Sequence, residues 1–156
     1  MTRAERQALR KRFGFACGYC GVSEASVGSE LTVDHFHPLS ARGDDSESNW
    51  VYACFACNSF KSDWWNPTEM ERVLHPLRDT LSLHLQELSD GRLEALTEVG
   101  RFHQTLLHLN RAELIAHRLW QSRIAEDRAR IFLLEGEART LADRLDYLER
   151  ALRETE

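Results

Sequence analysis

Hydrophobic and polar positions divide the chain of 156 residues into three regions with different patterns. Residues 1–66 hold short apolar runs between polar loops, and they contain all the cysteines. Residues 67–110 hold a few short apolar runs on either side of an Asp-Gly pair, which is typical of a hairpin turn. Residues 111–156 contain no proline and are predicted to be helical. The pattern therefore predicts an α+β chain with a domain at 1–66, a connecting extension at 67–110 and a helical tail at 111–156.

The middle region carries the apolar residues Leu81, Leu83 and Leu85 before the Asp90-Gly91 pair, and Leu93 after it. This arrangement is consistent with two short strands joined by a tight turn. A helix that ends at the glycine is the alternative, because glycine commonly follows the last turn of a helix.

The tail contains apolar residues that recur at alternating steps of three and four, which is the heptad period of a left-handed coiled coil. These positions are Ile131, Leu134, Ala138, Leu141, Leu145, Leu148 and Leu152. Two interpretations remain open at this point. The seam either packs against the chain's own residues 111–125 as an antiparallel hairpin, or it contacts a partner.

Composition narrows the class of protein. The formal net charge of −5 argues against a generally basic protein that coats nucleic acid, although residues 1–12 are locally basic. A phosphate backbone is therefore expected to meet the N-terminal half. No apolar run approaches the roughly 20 residues of a membrane span, and the N-terminus lacks the apolar stretch of a signal peptide. We expect a cytoplasmic protein.

The four cysteines form two CxxC pairs, Cys17 with Cys20 and Cys54 with Cys57. Two such turns supply the four thiolates of a tetrahedral structural zinc site, whereas a redox site needs only one pair. A zinc ion with four protein ligands cannot activate water, so its contribution is to folding. Any chemistry must therefore come from other residues.

The segment between the cysteine pairs predicts a strand, a loop and a second strand. "LTVDHFHPL" has the first strand pattern, "SARGDDSES" is polar, and "NWVYAC" has the second strand pattern, while "CNSFKS" is expected to begin a helix. Asp34 and His35 are adjacent, and on a regular strand their side chains would point to opposite faces. Both can serve one site only if the backbone bends or the site lies at the edge of the strand.

The ordered motifs "CGYC", "LTVDHFHPLS" and "SNWVYACFACNSFKS" resemble the HNH endonucleases of the ββα-metal type. The resemblance covers roughly residues 13–62. It implies a small nuclease core in which the two CxxC pairs hold a structural Zn²⁺ and a separate Mg²⁺ or Mn²⁺ ion takes part in phosphodiester hydrolysis.

The resemblance also implies roles for individual residues. His35 matches the general base, and Asp34 and Asn58 match the ligands of the catalytic ion, whose oxygen atoms suit Mg²⁺ or Mn²⁺. Asn49 matches the central asparagine, which is expected to hold the loop and orient the base. Lys61 is a candidate phosphate contact.

The expected function is a metal-dependent endonuclease acting on nucleic acid, with double-stranded DNA as the expected substrate. The tail, residues 111–156, is expected to join a second copy or a partner protein such as an ATPase, as in a phage-defence or restriction system. The alternative is a zinc-stabilised module that binds nucleic acid or protein without cutting it. His37 is expected to be a core or surface residue, and Trp50, Trp64 and Trp65 pack the core or stack on bases.

Overall fold

The computed structural model describes residues 1–66, 68 and 70–153, with the side chain of Leu152 excepted. Its five helices and four strands follow one another in the order α1 Arg3–Arg12, α2 Glu24–Val27, β1 Thr32–His35, β2 Trp50–Ala53, α3 Phe55–Lys61, β3 Leu85–Glu87, β4 Leu93–Ala95, α4 Glu98–Leu106 and α5 Ala112–Arg153. The described part of the chain therefore combines helices with two small antiparallel sheets, which confirms the predicted α+β class.

The N-terminal helix α1 begins at a capping box. The side chain of Thr2 accepts a hydrogen bond from the backbone of Glu5, and the Glu5 carboxylate accepts one from the backbone of Thr2. This exchange satisfies two backbone donors that the first turn of a helix would otherwise leave unpaired. Leu9, on the inner face of α1, is fully buried in the core.

Strands β1 and β2 pair in antiparallel register, with Asp34 opposite Val51 and His35 opposite Trp50. All four residues of β2 are buried, so this strand lies at the centre of the first sheet's packing. Helix α3 follows β2 after a single residue, Cys54. The sulfur of Cys54 caps the helix by accepting a hydrogen bond from the backbone N–H of Cys57. The predicted order of strand, loop, strand and helix is confirmed.

Strands β3 and β4 form the hairpin that the Asp90-Gly91 pair predicted. Gly91 has a φ of +77°, a left-handed conformation that glycine adopts without steric cost. The upstream leucines do not all lie in the strand, because Leu81–Leu83 form a single 3-10 turn and β3 begins only at Leu85. The prediction of a short strand was therefore wrong for Leu81 and Leu83.

The core joins the cysteine-bearing region to the extension that follows it. Leu107 and Leu109, from the end of α4 and the loop after it, lie in the same buried cluster as Tyr52 and Cys57. Gly100 permits close packing within the extension, because a Cβ atom there would lie 2.2 Å from the carbonyl oxygen of His84. Residues Met1–His117 accordingly form one compact unit, and Arg118–Glu156 form a second.

Helix α5 is continuous from Ala112 to Arg153. An antiparallel hairpin between residues 111–125 and the heptad seam is therefore not formed, because a hairpin needs a break at which the chain reverses. That alternative is wrong. Among the described residues, no helix combines the length and the apolar character that a membrane span requires.

Candidate active site and metal centre

The four cysteines converge in one cluster. Their sulfur atoms all lie within 4.8 Å of one another, and the sulfurs of Cys20 and Cys54 are 3.7 Å apart. A tetrahedron with Zn–S bonds of about 2.3 Å has edges of about 3.8 Å, so the spacing fits a zinc ion. None of the four forms a disulfide. The cluster can therefore hold zinc, as the spacing of the two CxxC pairs predicted.

Local structure explains why the two pairs meet. The first pair lies on a turn in which the backbone of Gly21 donates to the carbonyl of Cys17, and the backbone of Gly18 donates to the carbonyl of Tyr52 in β2. The second pair begins α3, directly after the same strand. Strand β2 thus positions both pairs.

A basic side chain lies next to the cysteine sulfurs. A guanidinium nitrogen of Arg111 lies 3.9 Å from the sulfur of Cys57, and the guanidinium also faces the ring of Phe60. A zinc ion with four thiolates carries a net charge of −2, so an adjacent cation and N–H donor stabilise it. No local pattern predicted this contact, because Arg111 lies far along the chain from the cysteines.

A cleft of about 430 Å³ lies beside the cysteine cluster and brings together Asp34, His35 and Asn58. Three serines and Asp63 also line it. Oxygen donors of this kind suit a hard divalent cation such as Mg²⁺ or Mn²⁺. Three of the predicted site residues therefore share one cleft, and they come from β1 and α3.

The Asp34 carboxylate is buried and held from two sides. The ammonium of Lys61 donates to Oδ1 at 3.0 Å, and the hydroxyl of Tyr19 donates to Oδ2 at 2.5 Å. Burial raises the pKa of Asp34, and the contacts with Lys61 and Tyr19 offset this only in part. A carboxylate can accept about four hydrogen bonds or metal bonds, so these two contacts leave it capacity to bind an ion.

Lys61 lies in a position different from the one that the phosphate-contact prediction requires. Its side chain is 0% exposed, and its ammonium donates to the Asp34 carboxylate and to the carbonyl oxygen of His35. A buried lysine needs such partners, because an unpaired charge in the protein interior is very costly. Lys61 therefore holds the end of β1 in this structure and does not face solvent.

The imidazole of His35 is oriented by an acid that the sequence analysis did not single out. Its Nε2 lies 2.9 Å from Oδ1 of Asp45, and the indole N–H of Trp50 donates to the same oxygen at 2.7 Å. The hydrogen bond with His35, followed by the one from Trp50, lowers the pKa of Asp45. The Asp44-Asp45 pair in the polar loop was the one sequence feature that pointed to this acid. Acidic residues in loops are usually solvated, so the pair did not predict a contact with His35.

Asn49 is buried and makes three hydrogen bonds with its side chain. Its oxygen accepts from the backbone N–H of His37, and its amide nitrogen donates to the carbonyls of His37 and Asp44. The backbone of Phe36 also donates to the Asn49 carbonyl. The side chain thus ties together the two ends of the loop that follows His35, and it does not line the cleft.

The aromatic residues fall into two groups. Trp50 is buried, whereas Trp64 and Trp65 are partly exposed. Trp65 stacks on the ring of His37 with centroids 3.9 Å apart, and Trp64 packs near Phe102. His37 therefore packs against an aromatic ring beside the site, outside the residues that line the cleft.

The basic residues of α1 are largely paired with acids. Arg6 contacts Glu30, and Arg10 contacts both Glu24 and Glu30. Arg12 pairs with Glu47 in the same manner. These pairs reduce the positive charge that the N-terminal helix presents to a phosphate backbone.

Comparison with known protein families gives a match for one segment of the chain. Residues 17–63 match the family model of the HNH endonuclease. Residues 17–63 form an HNH domain. The matched segment spans both cysteine pairs and every residue that lines the cleft. No curated protein and no solved structure matches the chain.

Proposed function

We propose that the HNH domain hydrolyses phosphodiester bonds of DNA in a reaction that needs Mg²⁺ or Mn²⁺. The observation that carries this proposal is the single cleft shared by Asp34, His35 and Asn58. A base and two oxygen ligands for a cation are the groups that hydrolysis of a phosphodiester requires at one place. The family match supports nuclease activity, and the cleft supports the assignment of residues.

In this proposal His35 removes a proton from the attacking water. Asp45 is a carboxylate at neutral pH and can only accept hydrogen bonds, so Nε2 of His35 carries the hydrogen that points to it. The neutral ring then has its lone pair on Nδ1, which is the atom that takes the proton. Asp45 thus fixes the tautomer, and it stabilises the imidazolium that forms.

Asp34 and Asn58 are the residues that would hold the divalent ion. Lys61 and Tyr19 fix the Asp34 carboxylate, and Asn58 lies in the first turns of a helix that the cysteine cluster anchors. Within the described part of the chain, the Asn58 amide makes no hydrogen bond that would compete with a ligand. A bound divalent ion supplies positive charge for the phosphate and the leaving oxygen.

A plasmid cleavage assay with the full-length protein tests the proposal. Cleavage should require Mg²⁺ or Mn²⁺, and His35→Ala should lower its rate by about 10²- to 10⁴-fold, the usual contribution of a general base. His117→Ala, in α5 and outside the cleft, is the matched control and should cleave at the wild-type rate. Full activity in His35→Ala would contradict the assignment of the base.

A second candidate function is a zinc-stabilised module that binds nucleic acid or protein without cutting it. The observation that favours it is the Lys61 ammonium, which already places a cation against the Asp34 carboxylate. If the zinc-loaded wild-type protein cuts neither DNA nor RNA in Mg²⁺ or Mn²⁺, this second function replaces the first.

A further inference from the structure

The C-terminal unit presents an apolar stripe along one side of α5. Five large side chains of the heptad seam are between 48% and 62% exposed: Ile131, Leu134, Leu141, Leu145 and Leu148. Ala138 lies in the same stripe and is exposed too. The seam position Leu152 falls outside the side chains that the structure describes. A contiguous stripe of this kind in water is unfavourable unless another surface covers it.

We propose that a second copy of this chain covers the stripe and forms a two-stranded coiled coil through residues 131–148. The spacing supplies the pattern that coiled coils require, with isoleucine, alanine and leucine at one core position and leucine at the other. Each leucine of one helix then packs among four side chains of the other.

The charged residues beside the stripe favour a second copy of the chain as the partner that covers it. The residues that flank the seam include Arg144, Glu137 and Glu149, and all three are exposed. If two copies run parallel, Arg144 of one faces Glu149 of the other, because flanking positions five residues apart meet across a parallel pair. If they run antiparallel, Arg144 of one faces Glu137 of the other. The helix is therefore complementary to itself in either direction.

Sedimentation of the full-length protein tests the dimer and does not depend on nuclease activity. The wild-type chain should sediment at twice its own mass at micromolar concentration. Leu141→Glu places one charge from each copy in the seam and should raise the dissociation constant by roughly a hundredfold or more. Leu133→Glu is the matched control, because Leu133 is 66% exposed on the same helix but lies outside the seam.

Two outcomes of that experiment would overturn the proposal. One is a wild-type chain that stays monomeric up to about 0.1 mM, a concentration at which even a weak coiled coil is populated. The other is a dimer that Leu141→Glu does not weaken more than Leu133→Glu does, since the contact would then lie elsewhere.

Charge reversal tests the choice of a second copy and also gives the direction of the helices. Arg144→Glu should weaken self-association in either direction, because it places a carboxylate of one copy against a glutamate of the other. Mixing it with Glu149→Arg should restore a mixed dimer if the helices are parallel, whereas mixing it with Glu137→Arg should do so if they are antiparallel. Restoration by neither mixture would contradict the complementarity that the proposal rests on.

Discussion

The cysteine cluster and the adjacent cleft are built differently although they share α3. The cluster is formed from the chain's own soft ligands, and three of its four cysteines are buried. The cleft is open, and the residues that line it carry oxygen and imidazole groups. A site that the chain completes by itself can stabilise a fold, whereas a site that the chain leaves incomplete can bind and change a substrate.

The two sites meet at neighbouring residues. Cys57 belongs to the cluster, and Asn58 lines the cleft. Successive residues of a helix point about 100° apart, so α3 can direct one side chain into each site. The structural metal would thereby fix the place from which a catalytic ligand extends.

Removal of zinc is the change with the largest expected effect on this comparison. Structural zinc contributes about 10–16 kcal/mol of apparent binding free energy in small zinc modules, so strong chelation should unfold the cysteine-bearing unit. Circular dichroism with and without the chelator measures this. Omission of Mg²⁺ alone should abolish cleavage and leave the melting curve unchanged. An identical melt after zinc removal would show that the cluster does not hold the fold.

Loss of the buried ion pair should have the next largest effect. Lys61→Met leaves the Asp34 carboxylate without its cation, and breaking a buried pair by removing one partner costs about 3–5 kcal/mol. Arg92→Met is the matched control, because its pair with Asp90 is exposed and such pairs contribute less than about 1 kcal/mol. Denaturant titration compares the two. An equal loss of stability in the two variants would contradict the buried contact between Lys61 and Asp34.

Asp45→Asn should affect cleavage more than folding. The asparagine keeps the shape but can present an N–H to His35, so it no longer specifies the tautomer with the lone pair on Nδ1. We expect the rate to fall by about 10- to 100-fold, in the range found for residues that orient a reacting group. Nitrogen-15 shifts of the His35 ring report the tautomer directly. An unchanged tautomer together with an unchanged rate would remove Asp45 from the site.

The smallest expected effect concerns a buried histidine away from the cleft. Nδ1 of His103 accepts a hydrogen bond from the backbone of Leu74, and burial lowers the pKa of His103 to about 4. The unfolded chain binds this proton near pH 6.5 and the folded chain does not, so stability falls as the pH drops from about 6.5 toward 4. At pH 5.5 this residue should lower the free energy of unfolding by about 1 kcal/mol relative to neutral pH.

His103→Gln should make the fall in stability between pH 7.5 and 5.5 smaller than in the wild type, because glutamine does not titrate. Its amide oxygen can still accept the hydrogen bond from Leu74. Denaturant titrations at both pH values, with zinc kept saturating, give the difference. An equal pH dependence in the two proteins would contradict the lowered pKa.

Local sequence signals predicted the parts of the molecule that local geometry determines. The two CxxC pairs, the strand patterns on either side of the polar loop and the Asp90-Gly91 turn each specify a structure within a few residues. The alternating leucines at Leu81–Leu83 indicated a strand, but these residues form a turn. Tertiary packing decides the structure of such short apolar runs.

The sequence did not reveal contacts between residues that are far apart in the chain. Lys61 is separated from Asp34 by 27 positions, and Tyr19 by 15, so no periodic pattern indicates that the three side chains meet. A lysine near the end of a helix is usually exposed, and only the tertiary packing turns this one inward. The contact of Asp45 with His35 could not be predicted for a related reason, since only the folded loop brings the two side chains together.

The most direct test of two separate metal sites is the metal content of Asn58→Ala beside that of the wild type. Both proteins are loaded with zinc, and Mn²⁺ binding is then measured by electron paramagnetic resonance. We predict that the variant keeps one zinc ion per chain but binds Mn²⁺ at least about tenfold more weakly, because it has lost one oxygen ligand. A variant that binds Mn²⁺ as tightly as the wild type, or that loses its zinc, would contradict the division between the cluster and the cleft.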